Sequence, residues 1–149
     1  MPISVKLGIT DKNGKEVVKK AKLRFIYSCR FMPSSLDKLA KNLDDEQCEN
    51  LRHFYQEDDH FKLMRWKGVY PYEYMDGWEI FEETTLPFKE AFYSSKLQMK
   101  GISDGDYEHA RKVWNGIDEK TLGEYHDTYL KTDVLLLADV FETFRKTCL

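Results

Sequence analysis

The chain begins with an alternation of apolar and polar positions. In ISVKLGIT, residues 3–10, every second residue from Ile3 to Ile9 is apolar, which is typical of a half-buried strand. The next segment, DKNG, contains an Asn-Gly pair, which favours the positive φ angles of a tight hairpin turn. The alternation returns in KLRFIYS, residues 22–28. These features predict an N-terminal β-hairpin with a partly irregular stretch at KEVVKKAK, residues 15–22.

After Pro33 the apolar positions change to a spacing of three and four residues, which predicts helices. Ser34 precedes this pattern and Asp37 follows it by three residues, so the pair predicts a capping box at the start of the first helix. A second helix is expected from Asp45 to about Tyr55, followed by an acidic loop at QEDDH, residues 56–60. The apolar residues that these two helices should bury are Leu36, Leu39, Ala40, Leu43, Leu51, Phe54 and Tyr55.

The middle of the chain, residues 65–92, is rich in aromatic residues and in Gly and Pro breaks but has little periodicity. It predicts a packed long loop with short helices. Helical spacing returns after Ser103, which forms a second capping-box pattern with Asp106, and Gly116 is expected to end that helix. The last helix is predicted to start at Thr121 and to continue to the C-terminus.

Composition limits the class of protein. With 42% hydrophobic and 14% aromatic residues, 149 residues can build a core. A net charge of −3 argues against a surface that is wholly a nucleic-acid footprint, although a local basic patch stays open. Three cysteines without paired spacing predict neither a disulfide framework nor a thiolate zinc site. No membrane span or signal-peptide pattern is present, so we expect an intracellular protein of the nucleus or cytoplasm that is not secreted.

One carboxylate interrupts the apolar face of the last helix, which comprises Leu122, Tyr125, Tyr129, Asp133, Leu136, Val140 and Phe144. An ionised carboxylate facing a core is unfavourable unless it is paired, hydrogen-bonded or bound to a metal. A metal-binding Asp133 with the phenol of Tyr129 one turn earlier suits a two-metal phosphodiester-cleaving site, in which the phenol orients the attacking water. The alternative is structural, with Asp133 at the edge of the face and paired with a Lys or Arg.

Three blocks, FMPSSLDKLAKNL, KGVYPYEYMD and YHDTYLKTDVLLLADVFE, together resemble the family B DNA polymerases of the organellar and viral branch. That branch includes protein-primed enzymes, and the sequence is most similar to the polymerases of Maverick or Polinton elements. The resemblance implies an α/β fold in which residues 1–149 form the C-terminal part of a 3′-to-5′ exonuclease domain. The expected architecture is a partial ribonuclease-H-like domain, with an N-terminal β-hairpin followed by mainly helical segments and the final helix across the sheet. No polymerase palm, fingers or thumb is expected in this chain.

The resemblance assigns roles to individual residues. The family's third exonuclease motif, Tyr-x-x-x-Asp, falls on Tyr129 and Asp133, which implies that both are catalytic and that Asp133 is a metal ligand. A Lys-x-x-hydrophobic element falls on the KGVY segment, residues 67–70, and implies that Lys67 acts in proofreading and contacts nucleic acid. A lysine can approach a phosphate as a mobile point charge. Without the resemblance, Lys67 would be an ordinary surface lysine before a turn.

A further family element, a Ser and a hydrophobic residue at a strand end, contacts single-stranded primer or the priming protein. It resembles the segment that contains Ser28, Arg30 and Phe31, which the resemblance therefore implies are nucleic-acid contacts. Cys29 stands where the family usually has Leu or Phe, and Tyr27 stands where close relatives have Asp. Apart from the family, Ser28 is a polar strand end and Phe31 is a core aromatic.

The aromatic residues of the middle segment have two possible roles. They could stack unpaired bases, but such residues more often fill the core beneath a long loop. The cluster consists of Trp66, Tyr70, Tyr72, Tyr74, Trp78 and Phe81.

The first two exonuclease motifs and the polymerase motifs are not found in the sequence. The resemblance implies Mg²⁺ as cofactor of the complete polymerase, and one metal carboxylate should not hold it well in this chain alone. The expected partners are single-stranded DNA or a primer terminus and a terminal priming protein, with no membrane and a monomeric state. Three functions stay open: an enzyme segment inactive by itself, a catalytically dead nucleic-acid-binding module, and a protein-interaction module.

Overall fold

The computed structural model describes residues 3–10, 14, 16–23, 27–93 and 101–148. The described chain is mostly helical and divides into two units, Met1–Pro33 and Ser34–Leu149. The strands are β1 (Ile3–Thr10) and β2 (Glu16–Leu23). The α-helices are α1 (Leu36–Lys41), α2 (Glu49–Phe54), α3 (Asp58–Met64), α4 (Asp104–Gly116) and α5 (Leu122–Cys148). Short 3₁₀ helices lie at Ser28–Arg30, Asp45–Gln47, Trp78–Glu82 and Lys89–Phe92.

The predicted β-hairpin is present in the first unit, but its second strand lies earlier in the sequence than expected. Strands β1 and β2 pair antiparallel, with Ile3 opposite Leu23 and Thr10 opposite Glu16. Strand β2 therefore includes residues 16–22 of KEVVKKAK, a stretch that was expected to be partly irregular, while residue 15 lies outside the described residues. Gly14 adopts a φ of 78°, which glycine accepts without strain. Residues 11–13 of the predicted turn and 24–26 of KLRFIYS lie outside the described residues.

Helix α5 is the centre of the second unit. It packs against α1, α2 and the 3₁₀ helix Trp78–Glu82, while α3 packs against α2 and α4. The predicted apolar face is confirmed at its buried members, Leu122, Tyr125, Leu136 and Val140. Tyr129, Asp133 and Phe144 are only partly buried. The described residues of this unit contain no strand, so a ribonuclease-H-like arrangement with α5 across a sheet remains a prediction.

The first helices differ in detail from the prediction. The N-cap of α1 is Ser35, not Ser34, and its hydroxyl accepts a hydrogen bond from the backbone N of Lys38 at 3.4 Å. Asp37 does not form a capping box but pairs with Lys41 at 2.9 Å. The N-cap therefore lies one residue later than predicted. Asp37 then forms an ion pair with the residue four positions later in place of a capping box.

The predicted helix from Asp45 to Tyr55 is divided into a 3₁₀ turn and α2. Leu51 and Tyr55 are buried as expected, but Phe54 is exposed. The acidic segment QEDDH is not a loop, because its last three residues form the first turn of α3. Carboxylates in a first turn are favoured by the partial positive charge of the helix N-terminus.

Three other predictions for the second unit are confirmed. Ser103 and Asp106 form a reciprocal capping box, and α4 ends at Gly116. The middle segment is an irregular chain interrupted by two short 3₁₀ helices.

The most deeply buried carboxylate of α5 is Asp139, which the sequence analysis did not select. It is 1% exposed. Its Oδ1 accepts hydrogen bonds from the backbone N and the Nδ2 of Asn50, both at 2.8 Å, and its Oδ2 accepts from the backbone N of Leu51 at 3.0 Å. The N-cap of α2 is Cys48, whose side chain makes no capping hydrogen bond. Asp139 therefore supplies from another helix the acceptor that an N-cap normally provides.

Replacing Asp139 with Ala should lower the free energy of unfolding by roughly 2 to 3 kcal/mol, because buried backbone donors of α2 lose their acceptors. Asp139→Asn should also destabilise the fold, since the amide N cannot accept from the backbone. Urea unfolding measures both. The control is Asp127→Ala on the exposed side of α5, which should change stability by less than about 0.5 kcal/mol. Equal effects of Asp127→Ala and Asp139→Ala would contradict the capping role.

A second buried carboxylate lies in the connection between α4 and α5. Both side-chain oxygens of Glu119 are buried and have no hydrogen-bond partner among the described residues. Burial raises the pKa of Glu119 to about 7. The nearby Thr128 hydroxyl lowers the pKa of Glu119, although it is not within hydrogen-bond geometry of either carboxylate oxygen. The charge of Glu124 raises the pKa further. Glu119 is therefore held largely as a neutral acid below neutral pH.

Stability should fall as pH rises from about 4.5 to 7, because the unfolded chain releases the Glu119 proton before the folded chain does. Glu119→Gln should remove this part of the pH dependence, which we expect to be roughly 1 to 3 kcal/mol. Urea unfolding at pH 5 and pH 8 measures the difference. The exposed Glu90→Gln variant is the control and should keep the wild-type slope. An unchanged slope in Glu119→Gln would rule out this assignment.

Candidate functional site

The segment KGVY, residues 67–70, is held against the buried face of α5 by two hydrogen bonds. The Oη of Tyr125 donates to the backbone O of Val69 at 2.6 Å. The Oη of Tyr70 lies 2.7 Å from Nδ1 of His126. Since the helix residues are neighbours, the two bonds fix both the position and the direction of the segment. They place Lys67 beside the next turn of α5.

Lys67, Tyr129 and Asp133 form one cluster, here called the Lys67 cluster. The Nζ of Lys67 donates to Tyr129 Oη at 2.6 Å and lies 2.8 Å from Asp133 Oδ2 and 3.2 Å from Oδ1. The side chains of Lys67 and Asp133 are 24% and 23% exposed. The structure therefore brings Lys67 together with Tyr129 and Asp133, which lie more than 60 positions later in the sequence. The same contact agrees with the structural alternative, in which Asp133 pairs with a lysine.

Two further tyrosines complete the surroundings of Tyr129. Tyr72 Oη lies 2.6 Å from Tyr129 Oη. The ring of Tyr70 stacks on that of Tyr129 at a centroid distance of 4.8 Å. From the sequence, Tyr70 and Tyr72 are predicted only as members of a general aromatic cluster. Their positions three and five residues after Lys67, in the same sequence block, were the signal that could have linked them to the site.

The Tyr129 phenol is neutral at ordinary pH. Burial, the hydrogen bond with Tyr72 and the charge of Asp133 all raise its pKa above the usual value of 10.0. The cluster thus combines a cation, a carboxylate and a protonated phenol, which can respectively contact a phosphate, accept hydrogen bonds and orient a hydroxyl or water.

A groove of about 620 Å³ opens beside the cluster. Lys67, Tyr72 and Tyr129 contribute to one part of its wall, and Ser35, Lys41 and Ser103 contribute elsewhere. The groove therefore presents ammonium and hydroxyl groups, together with the carboxylates of Asp37 and Asp106, rather than a purely apolar lining.

The residues of the cluster do not by themselves fit Mg²⁺. Across the described ranges, no three His, Cys, Asp or Glu side chains lie close enough to share a metal ion. Asp133 offers one carboxylate, and both of its oxygens contact the Lys67 ammonium. Mg²⁺ binding normally needs more oxygen ligands than this. A metal at Asp133 would require carboxylates from outside the described residues.

The predicted primer-contact residues Ser28, Arg30 and Phe31 belong to the first unit. Ser28–Arg30 forms a 3₁₀ turn closed by the bond from the backbone N of Phe31 to Ser28 O at 2.9 Å. Phe31 is half exposed, so its interpretation as a core aromatic is wrong. Their contact with nucleic acid stays a prediction.

The aromatic residues of the middle segment are not the core of a long loop. Trp78 is 86% exposed, Tyr72 is 51% exposed and Trp66 is 48% exposed. The remaining three members of the predicted cluster are partly buried. The long segment is instead anchored to α5 by hydrogen bonds such as those of Val69 and Tyr70.

Comparisons with known proteins do not identify a family. No family model, curated protein or solved structure matches the chain. Among the described residues, no helix combines the length and apolar character needed to cross a bilayer.

The contact between Lys67 and Asp133 should stabilise the fold. A double-mutant cycle with Lys67→Met and Asp133→Asn should give a coupling free energy of about 1 to 2 kcal/mol, because both groups are partly shielded from water. Urea unfolding of the four proteins measures it. The control cycle uses the exposed pair Asp37 and Lys41, which should give less than about 0.5 kcal/mol. A value near zero for Lys67 and Asp133 would show that the pair adds no stability.

Proposed function

We propose that the chain is part of the 3′-to-5′ proofreading exonuclease domain of a family B DNA polymerase from a viral or mobile element. The observation that carries the proposal is the contact of Lys67 Nζ with both Tyr129 and Asp133. The sequence resemblance selects these residues from two separate blocks, and the fold joins them. A partial ribonuclease-H-like domain belongs to the same proposal.

Each member of the cluster has a role that follows from its chemistry. The Lys67 ammonium binds a phosphate oxygen near the 3′ end of single-stranded DNA. The neutral phenol of Tyr129 orients the attacking water or the terminal hydroxyl, with Tyr72 holding the phenol oxygen at 2.6 Å. Asp133 keeps Lys67 in place and, in the complete polymerase, is available as one ligand among several.

The groove supports single-stranded DNA as the substrate class. Its polar wall next to the Lys67 cluster suits a sugar-phosphate backbone. Exposed Trp66 and Tyr72 lie close to Lys67 in sequence and offer rings on which unpaired bases can stack. The chain alone is expected to bind DNA without degrading it, because one carboxylate does not assemble a two-metal site.

Binding of a fluorescent 3′-hydroxyl oligonucleotide, followed by anisotropy at several salt concentrations, tests this function. Lys67→Ala should weaken binding and lower the slope of log K against log salt by about one, because one phosphate contact is lost. Lys67→Arg should restore part of the affinity. The control is Lys62→Ala, an exposed lysine on α3, which should behave like wild type. The wild-type chain should leave the oligonucleotide intact in Mg²⁺.

One outcome would contradict the proposed binding site, and another would contradict only the expectation that the chain alone is inactive. Equal losses in Lys67→Ala and Lys62→Ala would mean that DNA binds through general charge and not at the cluster. Degradation in Mg²⁺ that disappears in Asp133→Ala would mean that the chain contains the other metal ligands.

The second candidate is a nucleic-acid-binding module that has lost its catalytic role. It is favoured by one observation, the engagement of both Asp133 oxygens by Lys67. Sequencing the transcript that encodes the chain separates the candidates. An upstream Asp-x-Glu motif and a downstream Tyr-x-Asp-Thr-Asp motif in frame support the polymerase, and a transcript without them supports the module.

A further inference from the structure

Trp78 is the most exposed large hydrophobic residue in the part of the chain that the structure describes, at 86%. It is the first residue of the 3₁₀ helix Trp78–Glu82. A tryptophan side chain buries a large apolar area when it is covered, and tryptophan is enriched among the residues that dominate protein interfaces. Its exposure therefore calls for an explanation.

The segment that carries Trp78 is firmly attached to α5. The backbone N of Leu122 donates to Glu83 O at 2.8 Å, and Tyr74 Oη donates to Glu83 Oε2 at 2.7 Å. Gly123 approaches the same segment so closely that a Cβ there would lie 3.2 Å from Phe81 O. A short helix held at several points presents its outer side chains with little loss of freedom on binding. The position of Trp78 is thus preorganised.

A 3₁₀ helix has three side-chain ridges, and two of them carry Trp78 and its acidic neighbours. Residues three apart are eclipsed in a 3₁₀ helix. Trp78 and Phe81 form one ridge, with ring centroids 5.7 Å apart, and Phe81 meets His126 of α5 at 5.1 Å. Phe81 thus supports Trp78 from the protein side.

The second ridge is acidic. Glu79 and Glu82 are three residues apart, and Asp76 lies three residues before Glu79. All three are exposed, and no ion pair with another described residue neutralises them. The Glu79 carboxylate lies directly over the backbone before Trp78, since a Cβ on Gly77 would come within 2.6 Å of Glu79 Oε1.

We propose a docking site for a Lys- or Arg-bearing segment of a partner protein. The site, here called the Trp78 surface, consists of Asp76, Trp78, Glu79 and Glu82. The indole supplies apolar area and a face for a cation, and the carboxylates supply complementary charge. Phosphates would be repelled by three carboxylates, which disfavours a nucleic acid. A second copy of the chain would bring the same negative charges together, which disfavours self-association.

The test uses the full chain and three labelled probes: a dodecapeptide of alternating Arg and Gly, the matched Glu and Gly peptide, and a twelve-nucleotide oligothymidylate. Fluorescence anisotropy should show binding of the Arg peptide but not of the Glu peptide, weakened at least about tenfold by Trp78→Ala and by the double variant Glu79→Gln with Glu82→Gln, whereas binding of oligothymidylate should be the same in wild type and Trp78→Ala. The controls are Leu130→Ala, an exposed apolar residue of α5, and Glu57→Gln, an exposed carboxylate. Both should bind the Arg peptide like wild type. Circular dichroism and thermal unfolding verify that every variant is folded.

Charge reversal provides a second arm. The double variant Glu79→Lys with Glu82→Lys should lose the Arg peptide and bind the Glu peptide instead.

Equal binding of the Arg peptide by wild type and Trp78→Ala would overturn the proposal, because attraction would then come from net charge alone. Oligothymidylate binding that is lost in Trp78→Ala would replace it with a nucleic-acid surface. Sedimentation that shows a wild-type dimer, dissociated by Trp78→Ala, would replace it with self-association. Binding of the Arg peptide does not depend on Lys67, so its result is separate from that of the proposed exonuclease function, which is read from the effect of Lys67→Ala on oligonucleotide binding.

Discussion

Helix α5 organises the second unit through polar groups spaced along its buried face. Its neighbours are short helices and irregular segments, whose backbone groups cannot all be satisfied locally. The contacts that hold them run from Leu122 to Glu83, from Tyr125 to Val69, from Asp133 to Lys67 and from Asp139 to Asn50 and Leu51. The helix that carries Tyr129 and Asp133 therefore also positions the segment that brings Lys67 to them.

Three shielded carboxylates of this unit meet the cost of burial in different ways. Asp133 is paired with an ammonium, and Asp139 accepts backbone and amide hydrogen bonds. Glu119 has no partner among the described residues and is kept neutral by a raised pKa. Of the three carboxylates, only Asp133 belongs to a charged pair beside an open groove, because its partner Lys67 lines that groove. A substrate can therefore reach this pair. Burial alone therefore does not distinguish a site carboxylate from a structural one.

A continuous series of ring contacts connects the two surfaces proposed to bind partners. It runs from Trp78 through Phe81, His126 and Tyr70 to Tyr129. Both surfaces are thus supported by the same turn of α5, where His126 contacts Phe81 on one side and Tyr70 on the other.

The sequence by itself determined the local features: the hairpin, the Ser103 capping box, the end of α4 at Gly116 and the apolar face of α5. Each depends on residues a few positions apart, so periodicity and turn chemistry suffice. It also selected Lys67, Tyr129 and Asp133 through resemblance. Only the tertiary structure decided that these three meet, that Asp139 caps α2, and that Trp78 is exposed. Those outcomes depend on partners tens of residues away, which no local pattern encodes.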